Sequence, residues 1–291
     1  MVAALVSAHS LKSRSRNPDL FDIRLLRLED TPYLWNRHKQ SFTWWQGGAP
    51  TPWLRTNLLS FAPLRRMVPR LLGYRGRALV IEPDVFAVGD VYDLLSRDMD
   101  GKAILCCPKQ HWHEGRQLNS SAVMLLDCAR LTAWQWEREI DDLFAGRVSL
   151  GPLLALWDLP VEDIGRLEQE WNHNDTLTEE TRLLHITEPM TQPWKTGLPA
   201  DFDDYARMDA LWLDTLKRAG RRIRGDPDRT VRYRPHPDRR QEQLFFSLLR
   251  ECLEQDKVTP AFLRRAMRRN WLRKDAFERI AVATRARGAG R

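Results

Sequence analysis

Residues 77–95 read RALVIEPDVFAVGDVYDLL, and this stretch decides the fold. The apolar run Arg77–Ile81 lies between a glycine and a proline, and its length and flanks are typical of a buried strand. Two carboxylates, Glu82 and Asp84, follow it directly. Ligands of α/β sheets gather at the carboxyl ends of strands. The stretch therefore predicts an α/β protein with an acidic site at the end of this strand.

On either side of this strand, short strand patterns alternate with helical patterns, which is typical of an α/β fold. Further helices are predicted at 1–12, 54–72, 88–96 and 129–145, further strands at 22–28, 102–107, 121–126 and 183–187, and a loop at 40–53. Only helical patterns follow, at 202–219, 239–255, 260–271 and 273–286. We therefore predict an α/β core at 1–199 and a basic helical C-terminal region at 200–291.

The composition is that of a globular protein, with 43% hydrophobic and 29% charged residues among 291. The sequence contains no run of eighteen apolar residues that would predict a membrane span, and its start is a poor signal peptide. The cysteines form no C-x-x-C pair; they are Cys106, Cys107, Cys128 and Cys252. We expect reduced, buried thiols in a cytoplasmic protein without structural zinc.

The net charge of +7 is unevenly distributed along the chain. Residues 201–291 contain 23 Lys and Arg against 14 Asp and Glu, so the positive excess lies in this C-terminal third. A solvated, arginine-rich helical surface is the simpler interpretation. The alternative is peripheral contact with the phosphate groups of a lipid surface, a nucleic acid or another acidic partner.

The acid pair after the predicted strand suggests a metal site. An unpaired buried charge is costly, so carboxylates at this position call for a cation. Glu82 and Asp84 bracket a single residue and are suited to hold a hard divalent ion, which in turn can neutralise a diphosphate. The alternative is that the pair only caps the following helix.

The order of motifs around the pair resembles the glycogenin-like glycosyltransferases of family 8. In that family a helix bearing an arginine, a strand, an Asp-x-Asp metal motif and a short helix follow one another. Here Arg66 precedes the strand, and Glu82 and Asp84 occupy the Asp-x-Asp positions, with Glu in place of the first Asp. The resemblance implies that Arg66 contacts the phosphates of a nucleotide sugar and that both acids bind metal, Asp84 more securely than Glu82.

Two further segments extend the resemblance. Residues 119–127, NSSAVMLLD, look like the family strand that lines the donor-sugar pocket, which implies sugar contacts from Asn119 and from Ser120 or Ser121. Residues 171–175, WNHND, are similar to an asparagine-rich stretch of related bacterial enzymes that helps to shape the acceptor cleft. A capped turn is an equally good interpretation of this second segment.

A last block, LLHITEPMTQPWKTG at 183–197, resembles the family strand that carries a histidine before a Pro-Trp loop. The resemblance implies that His185 is a third metal ligand and that Lys195 meets the diphosphate. A neutral imidazole with two carboxylates makes a mixed nitrogen and oxygen site that suits manganese or magnesium. The alternative is an ordinary core or surface histidine.

The resemblance spans residues 1–197 and implies a GT-A-type fold, a mixed sheet flanked by helices. It also implies metal-dependent transfer from a nucleotide sugar to a hydroxyl of a sugar, glycan, lipid or protein acceptor, with retention of anomeric configuration. No catalytic nucleophile is predicted. The family strand that precedes the helix at 1–12 has no counterpart here. Either the protein starts upstream of Met1, or it lacks this strand and a central sheet edge is left unpaired.

Two other functions remain open. An inactive core with a basic helical third would be a binding module for polyanions, with an affinity that falls steeply with salt and survives loss of the acid pair. The second open function is that of a nucleotidylyltransferase. The glycine-rich, lysine-bearing loop of that class of enzyme is not found in the sequence.

Overall fold

The computed structural model describes residues 1–57, 59–201 and 231–288. Its α-helices are α1 Val2–Ser13, α2 Pro32–Trp35, α3 Val68–Leu71, α4 Tyr92–Leu95, α5 Trp136–Phe144, α6 Leu150–Leu154, α7 Arg239–Glu254, α8 Pro260–Arg268 and α9 Ala276–Gly288. Its strands are β1 Ser41–Phe42, β2 Thr51–Pro52, β3 Arg77–Ile81, β4 Val85–Ala87, β5 Ile104–His113, β6 Arg116–Asp127, β7 Ile164–Arg166, β8 His173–Asn174 and β9 Leu183–His185. The helix predicted at 202–219 lies outside the described residues.

The strands form one larger and one smaller mixed sheet, together with the short hairpin β1–β2. The larger sheet has the order β3-β6-β5-β7, antiparallel except for the parallel pair β5–β7. The smaller sheet has the order β4-β9-β8, in which β4–β9 is antiparallel and β8–β9 is parallel. Helices pack against these sheets, so the predicted α/β class with a mixed sheet is confirmed.

The central strand prediction is confirmed residue for residue at Arg77–Ile81, whereas two neighbouring predictions are wrong. Residues 22–27 pair with no strand of the described chain, because their alternation favours an extended backbone without supplying a partner. The helix predicted at 54–72 forms only in its second half, as a 3₁₀ turn at Ala62–Met67 followed by α3. The prolines at the start of each segment lack the N–H that a continuous helix requires.

Helix α1 covers the edge of β4 that does not pair with β9. Ser7 Oγ donates to the carbonyl of Val85 at 2.5 Å, and Ser10 Oγ accepts from the Ala87 N–H at 2.8 Å. These hydroxyls replace the hydrogen bonds that a neighbouring strand would make. At these two positions the edge of β4 is therefore satisfied by helical side chains.

The C-terminal helices share a hydrophobic core with α1 and the smaller sheet. Val6 of α1, Phe86 of β4 and Leu184 of β9 are buried together with apolar residues of α7, α8 and α9, such as Phe245 and Leu263. The boundary at residue 200 stays a prediction. All cysteines are free and buried, as predicted. In the described parts of the chain, none of the helices has the length and apolar character that a membrane crossing requires.

Asp90 ties the segment after α1 to the turn before α4, and it makes stability depend on pH. Its carboxylate accepts from the Arg16 N–H and Nε at 2.9 and 3.0 Å and from the Tyr92 N–H at 2.9 Å. Burial alone would raise the pKa of Asp90, but these hydrogen bonds outweigh it and hold the pKa well below its usual range. The stabilisation is therefore complete above the unfolded-state pKa of about 3.9 and declines as the pH falls toward the lower folded-state pKa.

We expect Asp90→Asn to lower the free energy of unfolding by about 1–3 kcal/mol at pH 7, because the N–H donors of Arg16 and Tyr92 lose a charged acceptor. The difference in free energy of unfolding between Asp90→Asn and wild type should become smaller as the pH falls below about 4. Urea denaturation at several pH values measures it. Asp93→Asn, which removes an exposed carboxylate paired with the same Arg16, is the control and should change little. A difference that does not depend on pH would contradict the assignment.

Candidate functional site

The acid pair lies where the chain passes from the larger sheet to the smaller one. The Glu82 N–H still donates to Ala122 O of β6 at 3.0 Å, and β4 begins at Val85 after a tight turn. Strand β9 then pairs with β4 so that His185 stands opposite Val85. The Ile186 N–H donates to Asp84 O at 3.1 Å and extends this pairing toward the acids. Backbone pairing thus brings His185 beside the two carboxylates, about a hundred residues later in sequence.

The three side chains predicted to bind metal face one another. His185 Nε2 lies 3.0 Å from Glu82 Oε2 and 3.5 Å from Asp84 Oδ1. One potential ligand atom from each of the three residues lies within 4.8 Å of the other two. His185 is buried and the acids are largely buried, with 15% and 19% of the Glu82 and Asp84 side chains exposed. The arrangement offers a compact set of one nitrogen and two carboxylate ligands.

Asp84 Oδ1 provides the test of whether a cation fits. This atom is buried, and within the described residues it has no hydrogen-bond partner closer than His185 Nε2, which lies 3.5 Å away. Burial, reinforced by the negative charge of Glu82, raises the pKa of Asp84. A buried carboxylate oxygen without a donor is costly. A divalent ion among carboxylate and imidazole ligands would satisfy it, and this donor set suits manganese or magnesium.

Without a cation, His185 supplies the positive charge of the cluster. Burial alone would lower its pKa, but the neighbouring carboxylates of Asp84 and Glu82 outweigh burial and raise this pKa to about 9. Burial would likewise raise the pKa of Glu82, but Arg65 and His185 lower it to about 2. Ligands bind metal in their deprotonated forms, so cation binding at neutral pH requires His185 to release its proton.

Sequence reasoning missed two basic residues that act on Glu82, one by direct contact and one through its charge. Arg65 is buried, donates from Nη1 to Ser121 Oγ at 2.8 Å and forms an ion pair with Glu82 through Nη2. Lys109 is exposed, and its positive charge contributes to the lowered pKa of Glu82. Arg65 was adjacent to the predicted Arg66. Lys109 carried no sequence signal, because only the β5–β6 hairpin brings it to the acids.

The prediction for Arg66 requires a correction. Its guanidinium is buried between the carboxylates of Glu139 and Asp158, at 2.6–3.1 Å, and lies 4.0 Å over the Trp134 ring. No contact with the acid pair occurs among the described residues. Neighbouring side chains of the 3₁₀ turn point in different directions, so Arg65 faces the cluster and Arg66 faces away. Arg66 therefore holds α5 to the loop after α6.

The predicted sugar and diphosphate contacts are brought only partly to the cluster. Ser121 holds Arg65, and Ser120 accepts from Asn172, which contacts His185. The Asn119 amide donates instead to Ala155 O at 3.3 Å. Lys195 forms an ion pair with Asp201 and donates to Asn270 O at 3.1 Å, so its ammonium is already engaged.

A cavity of about 580 Å³ opens beside the acid pair. Glu82 and Asp84 lie in its wall, together with the aromatic side chains of Trp44, Phe61 and Trp194. A pocket with largely apolar walls and a few convergent polar groups is typical of a small-molecule site. Its volume lies within the range of such pockets, about 300–1,000 Å³. The cluster can therefore be reached by a ligand that carries phosphate groups.

No protein-family model and no curated protein matches the chain. Similar solved structures are glycosyltransferases, the class whose motifs the sequence resembles. The glycosyltransferase GlyE of Streptococcus pneumoniae TIGR4 is 15% identical, with a TM-score of 0.38 over 60% of this chain and 47% of that chain. This chain thus spans about half the length of GlyE.

Two further glycosyltransferases overlap with parts of the chain. The galactosyltransferase LgtC, solved with donor and acceptor sugar analogs, is 11% identical, with a TM-score of 0.42 over 66% of this chain and 85% of that chain. Mouse xyloside xylosyltransferase 1 is 12% identical, with a TM-score of 0.31 over 44% of this chain and 64% of that chain. These overlaps are partial, and function depends on the side chains of the site rather than on the backbone alone.

Proposed function

We propose that the protein is a metal-dependent glycosyltransferase that moves a sugar from a nucleotide sugar to the hydroxyl of a sugar, glycan, lipid or protein acceptor. The observation that carries this proposal is the convergence of Glu82, Asp84 and His185, in which the buried Asp84 Oδ1 has no partner within the described chain closer than His185 Nε2 at 3.5 Å. Glu82 and Asp84 also lie in the wall of a cavity of about 580 Å³. The motif order of family 8 adds retention of anomeric configuration to the expectation.

In this proposal, each residue near the cluster has a role that follows from its position. Glu82, Asp84 and His185 would hold manganese or magnesium, which when bound neutralises the charge of a leaving nucleoside diphosphate. Arg65 binds Glu82 from the side of Ser121 and holds this carboxylate in place. Lys109, whose charge acts on Glu82, would meet a phosphate oxygen. The aromatic walls exclude water from the bond that breaks.

The proposal is tested by incubating the full chain with a panel of nucleotide sugars and MnCl₂, MgCl₂ or EDTA, with release of nucleoside diphosphate as the readout. We expect hydrolysis or transfer from at least one donor with Mn²⁺ or Mg²⁺, and none with EDTA. Identical rates with EDTA would remove the cation from the reaction. Cleavage between the two phosphates would instead point to nucleotidyl transfer.

The second candidate function is a polyanion-binding module. Helix α8 and the turn that follows it support this candidate. Exposed arginines here form no ion pair with acidic side chains of the described chain; they are Arg264, Arg265, Arg268 and Arg269. Such a surface attracts phosphate-rich partners in a salt-dependent way. Binding to anionic vesicles or to nucleic acid that persists in a variant without Asp84 would support this candidate.

A further inference from the structure

Asn172 is a buried amide outside the predicted metal ligands, with only 2% of its surface exposed. Its Oδ1 lies 2.9 Å from His185 Nδ1, and its Nδ2 donates to Ser120 Oγ at 3.1 Å. Both ends of the amide are therefore engaged. In the structure the amide oxygen faces His185 and the amide nitrogen faces Ser120.

The backbone keeps Asn172 and His185 at a constant spacing. Asn172 directly precedes β8, which runs parallel to β9 and pairs Asn174 with His185. The Asp175 N–H continues this pairing with a 2.8 Å hydrogen bond to His185 O. Ser120 belongs to β6, so its hydroxyl holds Asn172 from the larger sheet. The contact is thus built from both sheets.

The orientation of the amide decides which nitrogen of His185 is free to bind a cation. An amide oxygen only accepts, so Oδ1 requires a proton on Nδ1. In the neutral ring the lone pair then lies on Nε2, the atom that faces Glu82 and Asp84. We propose that Asn172 is a positioning residue, which fixes the ring and tautomer of His185 so that Nε2 serves as the metal ligand. This inference rests on the proposed metal-dependent function.

The experiment measures the affinity of the full chain for MnCl₂ alone by isothermal titration calorimetry. We expect Asn172→Leu, which has a similarly branched side chain and no acceptor, to bind Mn²⁺ about 10–100-fold more weakly, the usual effect of losing the partner of a ligating histidine. Asn172→Asp keeps an acceptor oxygen and should stay within about threefold of wild type. Thr181→Val is the matched control, since it removes a similar 2.9 Å contact to the neighbouring His173 and should not change affinity.

A loss of less than tenfold in Asn172→Leu would overturn this inference alone, provided that the wild type binds Mn²⁺. A wild type that binds no Mn²⁺ would overturn both the inference and the proposed function. If Asn172→Leu does not fold, the tautomer of His185 provides the test instead. It is measured by ¹⁵N NMR on histidine-labelled wild type saturated with MgCl₂. A proton on His185 Nδ1 supports the proposal, and a proton on Nε2 overturns it.

Discussion

Asp84→Asn is expected to abolish metal-dependent sugar transfer, with a loss of more than about 100-fold in rate. The change keeps the shape of the side chain and removes the charge of a proposed metal ligand. The loss of rate should therefore exceed the 10–100-fold that is typical when a residue hydrogen-bonded to a metal ligand is removed. The variant should also lose the stabilisation that a cation confers on the wild type. That stabilisation is about 2.7 kcal/mol when free Mn²⁺ is 100-fold above its dissociation constant.

The same substitution has an opposite effect without a cation. Burial and Glu82 raise the pKa of Asp84, so the folded protein disfavours its ionised form at neutral pH. Removing this charge should therefore raise the melting temperature in EDTA, as expected where a functional site is held at the expense of stability. Thermal unfolding with EDTA and with MnCl₂ measures both effects, and Asp93→Asn is the control. An Asp84→Asn protein that is still stabilised and activated by Mn²⁺ would exclude Asp84 as a ligand.

Arg66→Met is expected to lower the free energy of unfolding by about 3–5 kcal/mol. The arginine is only 4% exposed and pairs with Glu139 and Asp158. A methionine of similar length keeps much of the packing against Trp134 but leaves two carboxylates without their cation. Removing one partner of a buried ion pair typically has an effect of this size, because the remaining charge is uncompensated.

Arg70→Met provides the matched comparison for this prediction. Arg70 lies nearby in α3 and pairs with Glu137, but both side chains are more than a third exposed, so its loss should cost less than about 1 kcal/mol. Urea denaturation measures both variants. Since Arg66 contacts none of Glu82, Asp84 and His185 in the described structure, its loss should leave Mn²⁺ affinity unchanged at temperatures where the variant is folded. Equal stability of the two variants would contradict the structural role given to Arg66.

Features that depend on neighbouring residues could be predicted from the sequence. The strand Arg77–Ile81 and the carboxylates that follow it were predictable, because an apolar run between a glycine and a proline has few other ways to fold. The helices α7 and α8 followed from their apolar periodicity. The grouping of Glu82, Asp84 and His185 came from a resemblance in motif order, since nothing local links residue 185 to residue 82.

Only the tertiary structure decided which side chains meet at the site. Arg65 and Arg66 are adjacent and have identical side chains. Their positions in a 3₁₀ turn point them in different directions, so that Arg65 contacts Glu82 while Arg66 binds Glu139. Asn172 contacts His185 only because β8 and β9 pair in one register. Such contacts depend on strand pairing and backbone direction over long separations, which the local pattern of residues does not specify.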